Sequence, residues 1–294
     1  MPQTPDTGEK LLCVIVPLTQ MAGRLANLET WFSRSSDELM EIVIVHDIQD
    51  TFTASELDGL VKKYHHLKIK VIEGAFGSPG LARNAGLKIS ASNWITFWDA
   101  DDLPNPQNVL AAIAQANSQT EVIIGNFTII SSRGETAMNH NGRVENVALN
   151  PGLWRMIIRS TALQGVNFCT ARMGEDQLFL IDLNLQSRKI DFSNLNFYHY
   201  FQGGPMQLTS TQNSINEVET TLMLASRRLK ENKSLKNRFS EIVLLRLFTT
   251  TIFKAKNTSR TKLILRYAGI VIKSKPQVLT SYILYLRNNK AERK

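Results

Sequence analysis

Two cysteines in 294 residues, Cys13 and Cys169, are too few for a disulfide framework, and neither stands in a Cys-x-x-Cys or Cys/His ligand spacing. Cross-linked scaffolds and zinc sites are not expected, and both residues read as packed thiols. Long apolar runs are missing too. No stretch approaches the roughly 18 uninterrupted apolar residues of a membrane-spanning helix. Met1 to Lys10 is polar and lacks the apolar core of a targeting segment, which gives the expectation of a cytoplasmic protein. There is no internal repeat and no low-complexity tract.

Apolar residues make up 43% of the chain, enough for one large domain or a domain with an appendage. The net charge of +8 conceals a division. Residues 227 to 294 hold 18 of the 34 Lys and Arg but 3 of the 26 Asp and Glu, a net +15 against −7 for the rest. An acidic body with a basic tail points to an anionic partner for the tail, either a membrane surface or a nucleic acid.

The first hundred residues alternate strand-like and helical patterns. Strands are expected at Leu11–Leu18, Glu41–Val45, Leu67–Ile72 and Trp94–Trp98, with helices around Arg24–Phe32, Ala54–Tyr64 and Pro79–Ile89. This β/α alternation predicts an α/β fold with a mixed, mostly parallel sheet flanked by helices. Right-handed crossovers would bring Thr19, Asp47, Gly74–Gly80 and Asp99–Asp102 to one sheet edge. Beyond a helix at Pro106–Asn117 and a strand at Val122–Ser131 the pattern is less regular. Ser132–Glu145 carries turn formers, Leu153–Arg159 reads as a short helix, Glu175–Gln186 as a helix and Ile190–Phe201 as a strand. After Asn213 the chain reads as almost wholly helical.

The run Trp94-Ile95-Thr96-Phe97-Trp98-Asp99-Ala100-Asp101-Asp102 passes from a buried strand into three carboxylates where such a strand leaves its sheet, the edge at which these folds bind ligands. Strand alternation would aim Asp99 and Asp101 the same way and Asp102 the other. Two such charges repel unless a hard cation, Mg²⁺ or Mn²⁺, lies between them and a nucleotide's phosphates. Helix capping does not account for them, because Asn105-Pro106 already supplies the N-cap and first position of the following helix.

Asp47 ends the second strand, either as an acceptor for a nucleobase N–H or as a turn former, and the neighbouring His46 reads as structural. Ser78-Pro79 opens a helix whose N-terminus favours anions at the same edge. Arg83, one turn in, would bond a phosphate or hold Asp47. Gly174-Glu175-Asp176-Gln177 opens another helix with two acids. A carboxylate there would either favour the helix dipole or, in reach of an attacking sugar hydroxyl, take its proton.

Together these pieces resemble family 2 glycosyltransferases of the GT-A fold. The order is that of the family: Val16-Pro17-Leu18-Thr19, the strand ending at Asp47, Gly77–Gly86 with Ala82-Arg83-Asn84, Asp99-Ala100-Asp101-Asp102, and Gly174-Glu175-Asp176. The resemblance covers about residues 10 to 210. It implies a Rossmann-like nucleotide-binding domain in which Pro17, Thr19, Asp47, Arg83, Asn84 and Asp99 line the nucleotide-sugar pocket. Asp101 and Asp99 would hold a divalent Mn²⁺ or Mg²⁺, and Asp176 would be the general base of a single inverting displacement. Glu175 would orient that base or contact the acceptor. His199 and Gln202 fall in a segment, His199–Thr209, that resembles the family's closing loop. Two departures stand out: His46-Asp47 replaces the usual acid pair, and Leu18-Thr19-Gln20 replaces the usual aromatic or Asn positions. UDP-sugars are favoured by family frequency alone.

The expected organisation is a polar tail over residues 1–10, a GT-A domain over 11–212, and a basic helical C-terminal region over 213–294. The GT-A domain divides into a nucleotide-binding half, 11–117, and an acceptor-side half, 118–212. In the basic region Leu244, Leu245, Leu247, Phe248, Ile252 and Phe253 form one apolar cluster, and Leu263, Ile264, Tyr267, Ile270 and Val271 another among basic residues. Such helices lie on an anionic membrane through residues 236–294, pack on the body, or join a homo-oligomer. The favoured reading is a sugar transferase with a nucleotide-sugar donor and a glycan or lipid-linked acceptor in cell-envelope assembly, cytoplasmic and peripheral on the membrane. The alternative is a noncatalytic nucleotide-sugar or nucleic-acid binding module whose tail recruits partners. Nucleic acid is disfavoured because the tail's aromatics belong to apolar faces and do not form stacking platforms.

Overall fold

Leu12 to Val16 have no exposed surface, and this burial on both faces suits the β-branched run to the centre of a sheet. They form β1 (Leu12–Leu18). The computed structural model describes residues 11–203, 214–255, 257–274 and 276–292. These fall into two units, Met1–His140 with Leu153–Thr170 and Arg188–Pro205, and Asn141–Gly152 with Ala171–Ser187 and Met206–Lys294.

In the first unit β1 lies between β2 (Met40–Asp47) and β4 (Trp94–Phe97), and β3 (Lys68–Gly74) flanks β2, all in parallel. The crossovers contain α1 (Ala26–Phe32), α2 (Thr51–Lys63) and α3 (Pro79–Ile89). Past β4 the sheet becomes mixed. Strand β8 (Met156–Arg159) runs antiparallel to β4 and to β6 (Val122–Ser131), and β9 (Ile190–Phe201) runs parallel to β6. Two short strands, β5 (Leu103–Pro104) on β9 and β7 (Gly134–Met138) on β6, are antiparallel. The strand order is β3-β2-β1-β4-β8-β6-β9-β5, a mixed α/β sheet flanked by helices.

Capping follows the sequence signals. Ser78 accepts from the Leu81 N–H with Pro79 at the first position of α3, and Asn105 does the same for Asn108 at the head of α4 (Pro106–Gln115). Under the sheet Trp31 meets Phe32 and Trp98 edge-on, with centroids 4.6 and 5.1 Å apart. Two glycines are required by close approach. A Cβ on Gly86 would lie 2.5 Å from Ile15 Cγ2, and one on Gly125 would lie 2.3 Å from the Phe197 ring.

Two expectations need correction. Leu153–Arg159 is a single 3-10 turn, Leu153–Arg155, followed by strand β8, because its apolar run Met156-Ile157-Ile158 is buried between β4 and β6. The polar stretch Ser132–Glu145 is more than turns: it supplies β7 and the start of α5 (Val144–Leu149).

The second unit is helical. It contains α5, α6 (Glu175–Asp182), α7 (Ser214–Glu231), α8 (Arg238–Lys254), α9 (Asn257–Lys273) and α10 (Pro276–Glu292). Val218, Leu222, Ala225 and Leu229 line the buried face of α7 at helical spacing. Helix α8 buries Phe239, Ile242, Val243, Leu245 and Leu247, more than one stripe can hold, as expected of a helix at the centre of its unit. On α9 and α10 the buried residues include Leu263, Tyr267, Val278 and Tyr282, while Ile264, Leu265, Ile283 and Leu284 are exposed. Among the described residues no helix is long and apolar enough to cross a membrane.

Candidate active site

Parallel register brings the C-terminal ends of β1 to β4 to one edge of the first unit. Pro17 is half-buried near the end of β1, and Thr19, just past it, is exposed. The backbone turns at Gln20 (φ 55°), whose N–H donates to the Asp50 carboxylate, the N-cap of α2. At the end of β2 Asp47 accepts from the Gln49 N–H at 3.1 Å and the Gly77 N–H at 3.2 Å. Burial alone would raise its pKa, but the backbone donors of Gln49, Gly77 and Phe76 outweigh it and hold the carboxyl below its usual range. His46 is buried, its Nε2 3.0 Å from the Asp50 carbonyl and its Nδ1 3.6 Å from Glu73 Oε1, as a structural residue would be.

Helix α3 carries Arg83 and Asn84 into this edge. The Arg83 guanidinium donates to Asp99 Oδ1 at 2.8 Å and lies 5.5 Å from the Phe168 ring, so the partner found for it is the acidic turn, while Asp47 is held by backbone. Asn84 bonds the Phe168 backbone twice, donating to its carbonyl and accepting its N–H, both at 2.9 Å.

Strand β4 ends at Phe97, so Asp99–Asp102 form a turn and strand alternation does not govern them. The turn is held from several sides. Asn27 of α1 donates to the Asp101 carbonyl at 2.7 Å, the Asp99 N–H donates to the Tyr198 hydroxyl at 3.0 Å, and the Phe201 N–H donates to Asp102 Oδ1 at 2.8 Å. Neither Asn27 nor Tyr198 is marked by sequence spacing; Tyr198 sits 99 residues from Asp99. Asp99 remains about a third exposed, with 32% of its side chain open to solvent. Burial first and the Asp99 charge second raise the Asp101 pKa. The same two causes, with the Asp101 charge, push buried Asp102 well above the usual carboxylate range.

This donor set fits a hard divalent cation. It is made of the carboxyl oxygens of three acids, with Arg83 paired to Asp99 and the charge of Arg24 acting on Asp101, and Asp102 Oδ2 is buried with no hydrogen-bond partner among the described residues. No three His, Cys, Asp or Glu side chains among the described residues form a metal cluster by themselves. An ion at Asp99 and Asp101 would complete its oxygens with phosphates and water, the habit of Mg²⁺.

Glu175 and Asp176 occupy the first turn of α6 in the second unit, after Gly174 in the left-handed conformation (φ 77°). Glu175 is buried, and half-buried Asp176 accepts from the Gln177 N–H at 2.8 Å. Half-buried His199 pairs in β9 with Leu103 and Thr128, and the Gln202 N–H donates to the Ile130 carbonyl at 2.8 Å. Residues 204–209 of the expected closing segment lie outside the described residues.

The profile described as Glycosyl transferase family 2 matches residues 13–174. The chain is 22% identical over 214 residues to the glycosyltransferase GlyG of Streptococcus pneumoniae serotype 4, covering 65% of this chain and 70% of GlyG. Among solved structures, S. aureus TarS 1-349 in complex with UDP-GlcNAc superposes with a TM-score of 0.72 at 20% identity, over 91% of this chain and 82% of that one. The mannosyltransferase PcManGT from Pyrobaculum calidifontis, in complex with GDP-Man and Mn²⁺, gives 0.56 at 11% identity, over 95% and 85%. At these identities the structural likeness carries the fold.

Proposed function

We propose a donor and a mechanism for this chain, which belongs to glycosyl transferase family 2, has the GT-A fold and is a glycosyltransferase. The donor is a nucleotide-sugar, a UDP-sugar before others, and the acceptor a glycan or lipid-linked glycan of the cell envelope. The observation that carries this reading is the acidic turn Asp99–Asp102, paired to Arg83 at the edge where the parallel strands end. TarS bound to UDP-GlcNAc supports the choice of uridine, and the GDP-Man complex of PcManGT marks guanosine as the next base to test.

Thr19 and Asp47 contact the base, Asp47 through the carboxylate already ordered by backbone N–H groups. Pro17 and Asn84 shape the pocket, Asn84 by fixing the Phe168 backbone. Asp99 and Asp101 would hold Mn²⁺ or Mg²⁺, which when bound would supply positive charge to the leaving diphosphate. Arg83 orients Asp99 through their ion pair. Asp176 accepts the proton of the attacking acceptor hydroxyl as its oxygen bonds to the anomeric carbon. The bond from that carbon to the diphosphate breaks on the opposite side, which inverts the configuration.

A screen of UDP- and GDP-sugars with Mn²⁺ or Mg²⁺, scored by release of nucleoside diphosphate, tests the donor. Turnover with a UDP-sugar is expected, and turnover with GDP-sugars alone would overturn the choice of base.

Residues 236–294 hold the enzyme on the cytoplasmic face of an anionic membrane. Leu265 is 74% exposed beside exposed Lys262 and Arg266, and Phe253 is 65% exposed, the combination of apolar and basic side chains that interfacial helices use. The full chain should float with phosphatidylglycerol vesicles and not with neutral ones, and Leu265→Asp should weaken that association. Equal association with both vesicle types would refute this.

A further inference from the structure

The segment Asp99–Asn108 is zipped along the last six residues of β9. Besides the bonds from Asp99 to Tyr198 and from Phe201 to Asp102, Leu103 is in register with His199 and Pro104 with Tyr198. The Asn105 N–H donates to the Phe197 carbonyl, and Asn108 Nδ2 donates to the Asn196 carbonyl, both at 2.8 Å. Tyr198 is central to this seam. Its side chain is wholly buried and its ring stacks on Trp154 with centroids 4.5 Å apart and an interplanar angle of 16°. Phenylalanine would fill the same space without a buried hydroxyl, a group that is costly to bury unless bonded. That hydroxyl accepts the Asp99 N–H, and at the other end of the turn Asp102 Oδ1 accepts the Phe201 N–H. The acidic turn is thus gripped at both ends by β9 and in the middle by Asn27.

We propose that Tyr198 and Asp102 are positioning residues, which fix the backbone of the turn so that the Asp99 and Asp101 carboxylates converge on the donor's cation and diphosphate. The inference rests on the donor reading above. Outer partners of metal ligands tune affinity by orienting them, and here the orientation is imposed through the main chain.

Two variants of the full chain test it. Tyr198→Phe keeps the ring and its stacking and removes the hydroxyl. Asp102→Ala removes the acceptor of the Phe201 N–H at the other end of the turn. Mn²⁺ binding at saturating UDP, followed by the electron paramagnetic resonance of free Mn²⁺, is expected to weaken about tenfold in each variant. UDP affinity without metal should be unchanged. A merely structural role would lower Tm and leave Mn²⁺ affinity of the folded variants at the wild-type value, which overturns the proposal. Should Tyr198→Phe fail to fold, Asp102→Ala decides alone, by the same two outcomes. If the wild-type chain binds no Mn²⁺ with UDP, the donor reading falls and this inference with it. If wild type binds and the variants match it, the inference alone falls.

Discussion

Replacing Asp101 by alanine is expected to lower kcat/KM for sugar transfer about a thousandfold, equivalent to about 4 kcal/mol of transition-state stabilisation, without loss of stability. The two halves of that expectation have one physical source. Burial and the neighbouring Asp99 charge raise the Asp101 pKa, so at neutral pH its ionised form is disfavoured in the folded chain relative to the unfolded one. A carboxylate kept under such repulsion weakens the fold, and removing it relieves the strain. Nucleoside diphosphate release and a thermal melt on the same preparation check both halves. Activity within a few-fold of wild type, or a melt that collapses along with activity, would count against Asp101 as the residue that holds the cation.

Asp176→Asn tests the other half of the chemistry. The substitution keeps the shape of the side chain and an oxygen for the Gln177 N–H, but leaves no group able to take a proton. A general base contributes about 10²- to 10⁴-fold to rate, and kcat should fall by that order while the KM for donor stays near its wild-type value. Initial rates over a donor series separate the two parameters. An unchanged kcat would remove Asp176 from the mechanism, and a raised donor KM with kcat intact would make it a binding residue. Asp176 lies two residues beyond the stretch matched by the family profile, so this experiment carries weight that similarity does not supply.

The parallel half of the sheet was legible because its determinants are local. Apolar runs of strand length, Ser78-Pro79 and Asn105-Pro106 at helix starts, and the acids Asp47 and Asp99 at the ends of the second and fourth strands can all be read from a few neighbouring residues. What was missed depends on partners far away. Met156–Ile158 could not be told from a helical turn until β4 and β6 closed around it. Asp99 and Asp101 do not alternate as strand residues, because β4 stops at Phe97 and the following turn answers to Asn27, Tyr198 and Phe201. Tyr198 resembles any strand aromatic in sequence, and only its buried hydroxyl distinguishes it.

Gly86 sets a scale for the whole donor edge. With no methyl group between them, α3 settles against Ile15 at a separation that a side chain would forbid, and Arg83, one turn nearer the helix N-terminus, reaches Asp99 from that height. The length of a guanidinium arm and the depth of a helix are therefore matched quantities. A distance in the charged pocket is calibrated by a packing contact that the same helix makes with the apolar side chain of Ile15.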